Sequence, residues 1–152
     1  MKKLGFLALA ALMLVAVGCK KKNAEEQAEI DDQAIRDYLT AKGLTAEKAP
    51  SGLYYIIEQQ GTGPECNSNS DVRVAYTGYY LDDEIFDGSN SQGITFNLNN
   101  VIDGWRLGIP YFREGGYGKL LIPSALAYGP NGSGSVPPNS VLVFDVELIE
   151  VL

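Results

Sequence analysis

Val101-Ile102-Asp103-Gly104-Trp105 is the stretch on which the reading of this chain turns. It carries the only tryptophan of 152 residues. Immediately before it, Ile94-Thr95-Phe96-Asn97-Leu98 alternates apolar and polar side chains, which predicts a strand. After it, Arg106-Leu107-Gly108-Ile109 predicts the start of a short helix, kept short or bent by Pro110. A strand-to-helix corner with an indole can seat the ring beneath a pocket, beside the free backbone N–H groups of a helix start. Filling the core is the commoner fate of a lone tryptophan. The corner alone leaves both readings open.

Toward the N-terminus, Asp71 to Tyr80 predicts a strand with Val72, Val74 and Tyr76 on one face. The turn Asp82-Asp83-Glu84 leads into Ile85-Phe86-Asp87, so these two segments pair as a hairpin. Three adjacent acids could suggest a cation site, but hard cations need more converging oxygens than this turn offers, and no metal or other cofactor is expected. Leu53 to Glu58 predicts another strand, set off by Pro50-Ser51-Gly52. From Ile30 to Lys42 the pattern is helical, with Ile30, Ala34, Ile35, Tyr38 and Leu39 on the inward stripe and Asp31, Asp32 and Arg36 elsewhere. Gly43 stops it.

The first 18 residues read as an export signal: Met1-Lys2-Lys3, then an uncharged apolar run to Gly18, too short to span a bilayer comfortably. Ala16-Val17-Gly18 before Cys19 resembles a bacterial lipoprotein signal, which implies lipidation of Cys19 and a membrane anchor. The expected location is therefore the bacterial envelope, on the periplasmic side of the outer membrane. Residues 19–29, charged and lacking bulk, read as a solvated tether. The expected organisation is 1–18 signal, 19–29 tether, 30–50 helical segment and 51–152 domain. With Cys19 acylated, Cys66 has no partner in the chain, so no internal disulfide is expected.

Histidine is absent. That removes Ser-His and Cys-His nucleophilic schemes, imidazole acid–base catalysis and His-based zinc sites. The formal charge is −7. Without residues 1–18 the chain keeps 10 basic and 19 acidic residues, or −9. Such a balance argues against nucleic acid as a partner.

Toward the C-terminus, Glu114-Gly115-Gly116 ends the helix and Lys119 to Ile122 predicts a strand. Ala127 to Asn139 predicts a long loop. Val141 to Leu152 predicts the last strand, with Leu142, Phe144, Val146 and Leu148 inward and Asp145 and Glu147 outward. About five strands and one internal helix make an α+β domain: an antiparallel sheet whose apolar face is covered by the helix bearing Trp105.

In this order the segments resemble the FKBP-type peptidyl-prolyl cis-trans isomerases. The likeness lies in Val74-Ala75-Tyr76-Thr77-Gly78, Ile85-Phe86-Asp87, Val101-Ile102 with Gly104-Trp105 and Gly108, Glu114-Gly115-Gly116, Ile122-Pro123, Leu126-Ala127-Tyr128-Gly129, and Val136-Pro137-Pro138-Asn139-Ser140 running into Leu142 to Leu148. Together these cover roughly residues 51–152. Each is weak alone; all in register are specific. The resemblance implies a half-barrel of antiparallel strands wrapped around a short helix, and a pocket with Trp105, Tyr76, Phe86 and Phe144 as floor and walls. Val101, Ile102, Tyr128 and Val136 complete it, with Ile94 at one wall where the family often has an aromatic. Asp87, Tyr128 and the Ile102 backbone N–H are its polar groups; Asp87, Tyr128, Phe86 and Ile102 are the implied catalytic set. The implied substrates are proline-containing polypeptides, and macrolide inhibitors fit the same pocket. The domain is expected to be monomeric.

The chain departs from the family pattern in places. Its Phe86-to-Phe96 loop is about two residues short, Pro110 is unusual, and the polar Pro130-to-Ser135 loop is expected to overhang the pocket. Two rivals remain: a binding or chaperone module of this fold without activity, and a small-ligand carrier with a sealed β-cup.

Overall fold

The computed structural model describes residues 13–152, with side chains from Asn23 onward. The signal segment therefore lies mostly outside the described residues, as does the Cys19 side chain.

A long helix, α1 (Met13–Lys42), opens the fold. Seven strands follow: β1 (Glu47–Lys48), β2 (Tyr54–Gln59), β3 (Asp71–Tyr79), β4 (Ile85–Gly88), β5 (Ile94–Asn97), β6 (Gly116–Ile122) and β7 (Leu142–Val151). A short helix, α2 (Asp103–Gly108), lies between β5 and β6. The sheet is antiparallel in the order β1-β2-β6-β7-β3-β4. β5 shares the outer edge of β3 with β4: it pairs with Asp71 to Val74, while β4 pairs with Thr77 to Tyr79.

Two apolar clusters cover the two faces of this sheet. On the concave face, Leu53, Val72, Val74, Leu120, Ile122, Leu142, Phe144, Val146 and Leu148 enclose α2 through Trp105, with Ile109 and Phe112 just beyond it. On the convex face, Tyr54, Tyr79, Leu121, Val141 and Val143 meet Ile35, Tyr38 and Leu39 of α1. Alternation along each strand delivers successive residues to opposite faces, so Leu121 and Val143 find apolar cover under the helix instead of water.

Helix α2 reaches the sheet through its glycines. A Cβ at Gly104 would stand 2.4–2.9 Å from Ile122 atoms, and one at Gly108 would stand 2.8 and 2.9 Å from Leu120. Spaced four apart, they form one flat stripe that lets backbone approach strand. The helix begins at Asp103, ahead of the expected Arg106, so Trp105 projects from its first turn. Pro110 sits in a following 3₁₀ turn (Ile109–Tyr111), where its missing N–H costs little. Strand β6 begins at Gly116 instead of Lys119.

Two expectations about α1 change. The helix runs through residues 20–29, read from composition as a solvated tether. Its inward stripe also starts differently: Ile30 is 55% exposed, whereas Asp31 is 2% exposed. Asp31, Ile35, Tyr38 and Leu39 lie four, seven and eight residues apart, which is helical spacing. A buried carboxylate is costly unless hydrogen-bonded. Asp31 meets that condition: its Oδ2 accepts from the Ser124 N–H (2.8 Å) and hydroxyl (2.6 Å), and its Oδ1 from the Gln27 amide (2.7 Å).

Neighbouring polar groups extend this attachment. Asp32 accepts from the Tyr54 hydroxyl at 2.8 Å and pairs with Lys48 and Arg36, each at 2.6 Å. Those contacts, the Lys48 hydrogen bond foremost, hold its carboxyl below the usual carboxylate range. At the other end of α1, Lys42 pairs with Asp83 in the β3–β4 turn. The acidic turn thus anchors the helix.

Candidate active site

The concave face opens into a cavity of about 430 Å³ lined by Tyr76, Phe86, Asp87, Phe96, Asn100, Val101, Ile102, Trp105, Tyr128 and Phe144. Other depressions of similar volume lie beside Glu147, Pro137 and Lys42, and these lack such an aromatic lining.

Trp105 is the floor, 4% exposed. Three rings stand edge-on to it: Tyr76 (centroids 4.9 Å apart, planes at 90°), Phe96 (5.3 Å, 78°) and Phe144 (5.5 Å, 83°). Phe86 meets Phe144 in the same manner at 5.7 Å. Edge-to-face contacts suit the ring quadrupoles. The indole Nε1 is buried with no acceptor among the described residues. An unpaired buried donor costs about 1–3 kcal/mol.

Local sequence explains how the walls stand. In the β3–β4 pairing, Gly78 faces Asp87 and Tyr79 faces Ile85, so Phe86 is an extra, bulged residue. A bulge re-aims a side chain, here into the cavity. Gly78 makes room beneath: its Cβ would stand 2.8 Å from both the Phe86 and the Phe144 rings.

The rim is polar. The Tyr76 hydroxyl donates to Asp87 Oδ2 at 2.9 Å, and the Gly88 N–H donates to Oδ1 at 2.8 Å, so the Asp87 carboxylate is held in one orientation. Burial, together with that hydrogen bond, pushes the Tyr76 phenol up to about 12. Tyr76 is therefore a neutral donor at physiological pH. Tyr128 stands at the edge, 40% exposed. Helix α2 has Ile102 at its N-cap, with no side-chain cap over the first turn.

Of the residues expected from sequence, Tyr76, Phe86, Asp87, Val101, Ile102, Trp105, Tyr128 and Phe144 line this one cavity. Two do not. Ile94 opens β5, 43% exposed, paired with Val74 away from the lining. Val136 is buried in the same cluster as Trp105 and Phe144 and does not reach the cavity surface. Phe96 and Asn100 were missed. The β5 alternation held the signal for Phe96: the same face runs from exposed Ile94 through Phe96 to fully buried Leu98, so the ring level with Trp105 is two residues further on. Asn100 ends the 3₁₀ turn Leu98–Asn100, whose side-chain directions strand alternation does not give. The Pro130-to-Ser135 loop contributes no lining residue; Ser135 instead accepts through its carbonyl from the Tyr80 hydroxyl at 3.2 Å.

An antiparallel half-barrel closed on a six-residue helix, with an open aromatic cup over that helix, defines a class. The model of the FKBP-type peptidyl-prolyl cis-trans isomerase family matches residues 63–149. The crystal structure of a peptidyl-prolyl cis-trans isomerase from Pseudomonas syringae pv. tomato is 34% identical with a TM-score of 0.70, covering 81% of this chain and 94% of that one. Escherichia coli FkpA superposes with a TM-score of 0.72 at 33% identity, covering 91% of this chain and 69% of that one. FkpA of Aeromonas hydrophila is 41% identical over 135 residues, 86% of this chain and 50% of its own length. The chain belongs to the FKBP-type peptidyl-prolyl cis-trans isomerase family. It spans about half the length of the curated FkpA relatives.

Proposed function

We propose that the chain accelerates cis–trans rotation about X-Pro peptide bonds of polypeptides, without covalent chemistry, in the cup over Trp105. The observation that carries this is the cup itself: aromatic walls on an indole floor, open at the mouth, with Asp87 held in one orientation at its rim and Tyr128 at its edge. Rotation is slow because amide resonance must be broken. The twisted amide is less polar than the planar one, so a water-poor aromatic site destabilises the ground state more than the transition state. A thousandfold acceleration needs only about 4 kcal/mol. Desolvation plus a few directed hydrogen bonds meets that requirement. In this reading Phe86 and Trp105 hold the prolyl ring, while Tyr128 and the Ile102 N–H offer donors to the substrate carbonyls. Asp87, fixed by Tyr76 and Gly88, supplies a negative field beside the rotating carbonyl. An apolar residue is preferred before the proline, and macrolides occupy the same cup.

The domain works as a single copy in this reading, because one chain supplies floor, walls and rim of the cup. The signal-like N-terminus and Cys19 support a lipid-anchored protein of the bacterial envelope, facing the periplasm and assisting exported chains to fold. Mass spectrometry of the mature N-terminus tests the anchor: a diacylated or triacylated Cys19 is expected, and a free Cys19 or cleavage elsewhere refutes it.

The activity is tested by a proline-limited refolding assay with the full chain, Phe86→Ala and Asp87→Ala. Acceleration that falls in both variants supports the enzyme. No acceleration by the parent leaves a binding module of this fold.

A further inference from the structure

The strand-to-loop connection after β6 carries Tyr128 to the rim of the cup. It begins with Pro123 and a single 3₁₀ turn, Ser124–Leu126. Within this turn Leu126 N–H donates to Pro123 (2.9 Å) and Ala127 N–H to Ser124 (3.0 Å). At the far end, Asn139 N–H donates to Gly129 at 2.9 Å. Leu126 and Ala127 rest against the core. Ser124, at the root of the turn, is 1% exposed, and both its backbone N–H and its hydroxyl are committed to the Asp31 carboxylate of α1. Asp31 is fixed in turn by Gln27. A helix on the convex face thus grips, through one buried carboxylate, the root of a segment that reaches the site on the concave face four residues later.

We propose that Asp31 is a positioning residue for the isomerase site, acting through Ser124 to fix the placement of the Tyr128 hydroxyl. The proposal rests on the isomerase reading. A hydrogen-bonded pair this far inside, with three donors on one carboxylate, is more than surface attachment: removing the acid leaves the Ser124 N–H and hydroxyl buried without a partner, and the turn must move to find one. Asparagine, nearly the same shape, can still accept from Ser124 through its oxygen while its NH2 donates to Gln27, whose amide turns to present its own oxygen.

The test compares the full chain with Asp31→Ala, Asp31→Asn, Ser124→Ala, Tyr128→Phe and the Asp31→Ala/Tyr128→Phe pair, each assayed well below its unfolding temperature. Expected is a fall in kcat/KM of about tenfold for Asp31→Ala, less than the hundredfold that a full ångström of misplacement can cost. Asp31→Asn recovers most of it, and the double variant is no slower than Tyr128→Phe alone. The Tyr128 ring signals in the NMR spectrum shift in Asp31→Ala and return in Asp31→Asn. A loss that multiplies with Tyr128→Phe overturns the proposal, as does a lowered melting temperature with unchanged kcat/KM and unmoved ring signals. If Asp31→Ala does not fold, Ser124→Ala, which removes one of the two bonds, carries the same comparison. An inactive parent defeats the isomerase reading; the link from Asp31 to Tyr128 then stands or falls on the ring signals.

Discussion

The two faces of the sheet bury apolar side chains by different means. On the convex side, α1 lays Ile35, Tyr38 and Leu39 on Leu121, Val141 and Val143. It is fixed further by the buried Asp31 and, at its flanks, by Asp32 and Lys42. On the concave side, Val72, Val74, Leu120, Ile122 and Leu148 are fully buried around the short α2, and aromatic rings grouped about its indole line a cavity of about 430 Å³. One face is covered by a helix laid across it; the other is packed beneath its indole and open above it. The cover under α1 and the cup over Trp105 thereby fall to alternate residues of the same strands. Leu121 and Leu120, or Val143 and Phe144, are neighbours in sequence and belong to opposite faces.

Truncating the closed face is expected to have the largest energetic effect. Leu121→Ala should lower the unfolding free energy by about 3 kcal/mol, measured by urea denaturation, with kcat/KM within about threefold of the parent at a temperature where the variant is folded. A large loss of activity in the folded variant would break the division between the faces.

The open face should answer in the opposite sense. Phe86→Ala should lower kcat/KM about a hundredfold, or about 2.7 kcal/mol in the barrier. Its half-buried ring leaves a surface hollow rather than an internal void, so the melting temperature should change little. Loss of folding with no change in the specific activity of the folded fraction would place Phe86 in the scaffold.

Much of this division was legible in the sequence. Strand alternation placed Val72, Val74 and Tyr76 on one face and Leu142, Phe144, Val146 and Leu148 inward, and the Gly104-Trp105 corner marked the cup. The missed residues share a physical cause: their placement depends on partners far along the chain. Asp31 lies at proper helical spacing for burial, but a carboxylate reads as solvent-facing until Ser124, 93 residues away, is known to receive it. Ile94 and Phe96 share a strand face, and only the position of Trp105 decides which of them the cup uses. Val136 reads as a wall from the resemblance, yet the return of its loop puts it in the core. The convex cover over Leu121 and Val143 could not be paired with Ile35 and Leu39 from periodicity, because both elements show an apolar stripe without naming its partner.

A smaller effect concerns the polar flank of the closed face. The Asp32 carboxyl is depressed in the folded chain by Lys48, so its contribution is present above the ordinary carboxylate range and is lost as pH falls through the folded value. Asp32→Asn should cost under about 1 kcal/mol near neutrality, since its partners are largely exposed. The difference from the parent should be constant from about pH 7 to 5 and shrink below about pH 4. A difference that persists in acid would mean that packing, not charge, is responsible.

The least effect, confined to alkaline solution, sharpens the description of the rim. Tyr76 is pushed up to about 12, chiefly by burial and then by Asp87. Its contribution is therefore full below the ordinary phenol value of about 10 and declines as pH rises through the folded value. An ultraviolet titration should show late-ionising phenols in the folded chain, with one fewer in Tyr76→Phe. Complete ionisation near pH 10 would show that the Tyr76 hydroxyl is solvated and does not hold Asp87.

Exchange spectroscopy on a short X-Pro peptide at equilibrium tests the cup most directly, because it separates binding from bond rotation. With a small fraction of the full chain present, the cis and trans proline signals should exchange on the NMR timescale, and Phe86→Ala should restore the slow exchange of the free peptide. Peptide signals that shift on binding while the cis and trans lifetimes stay as long as in free solution would contradict the account.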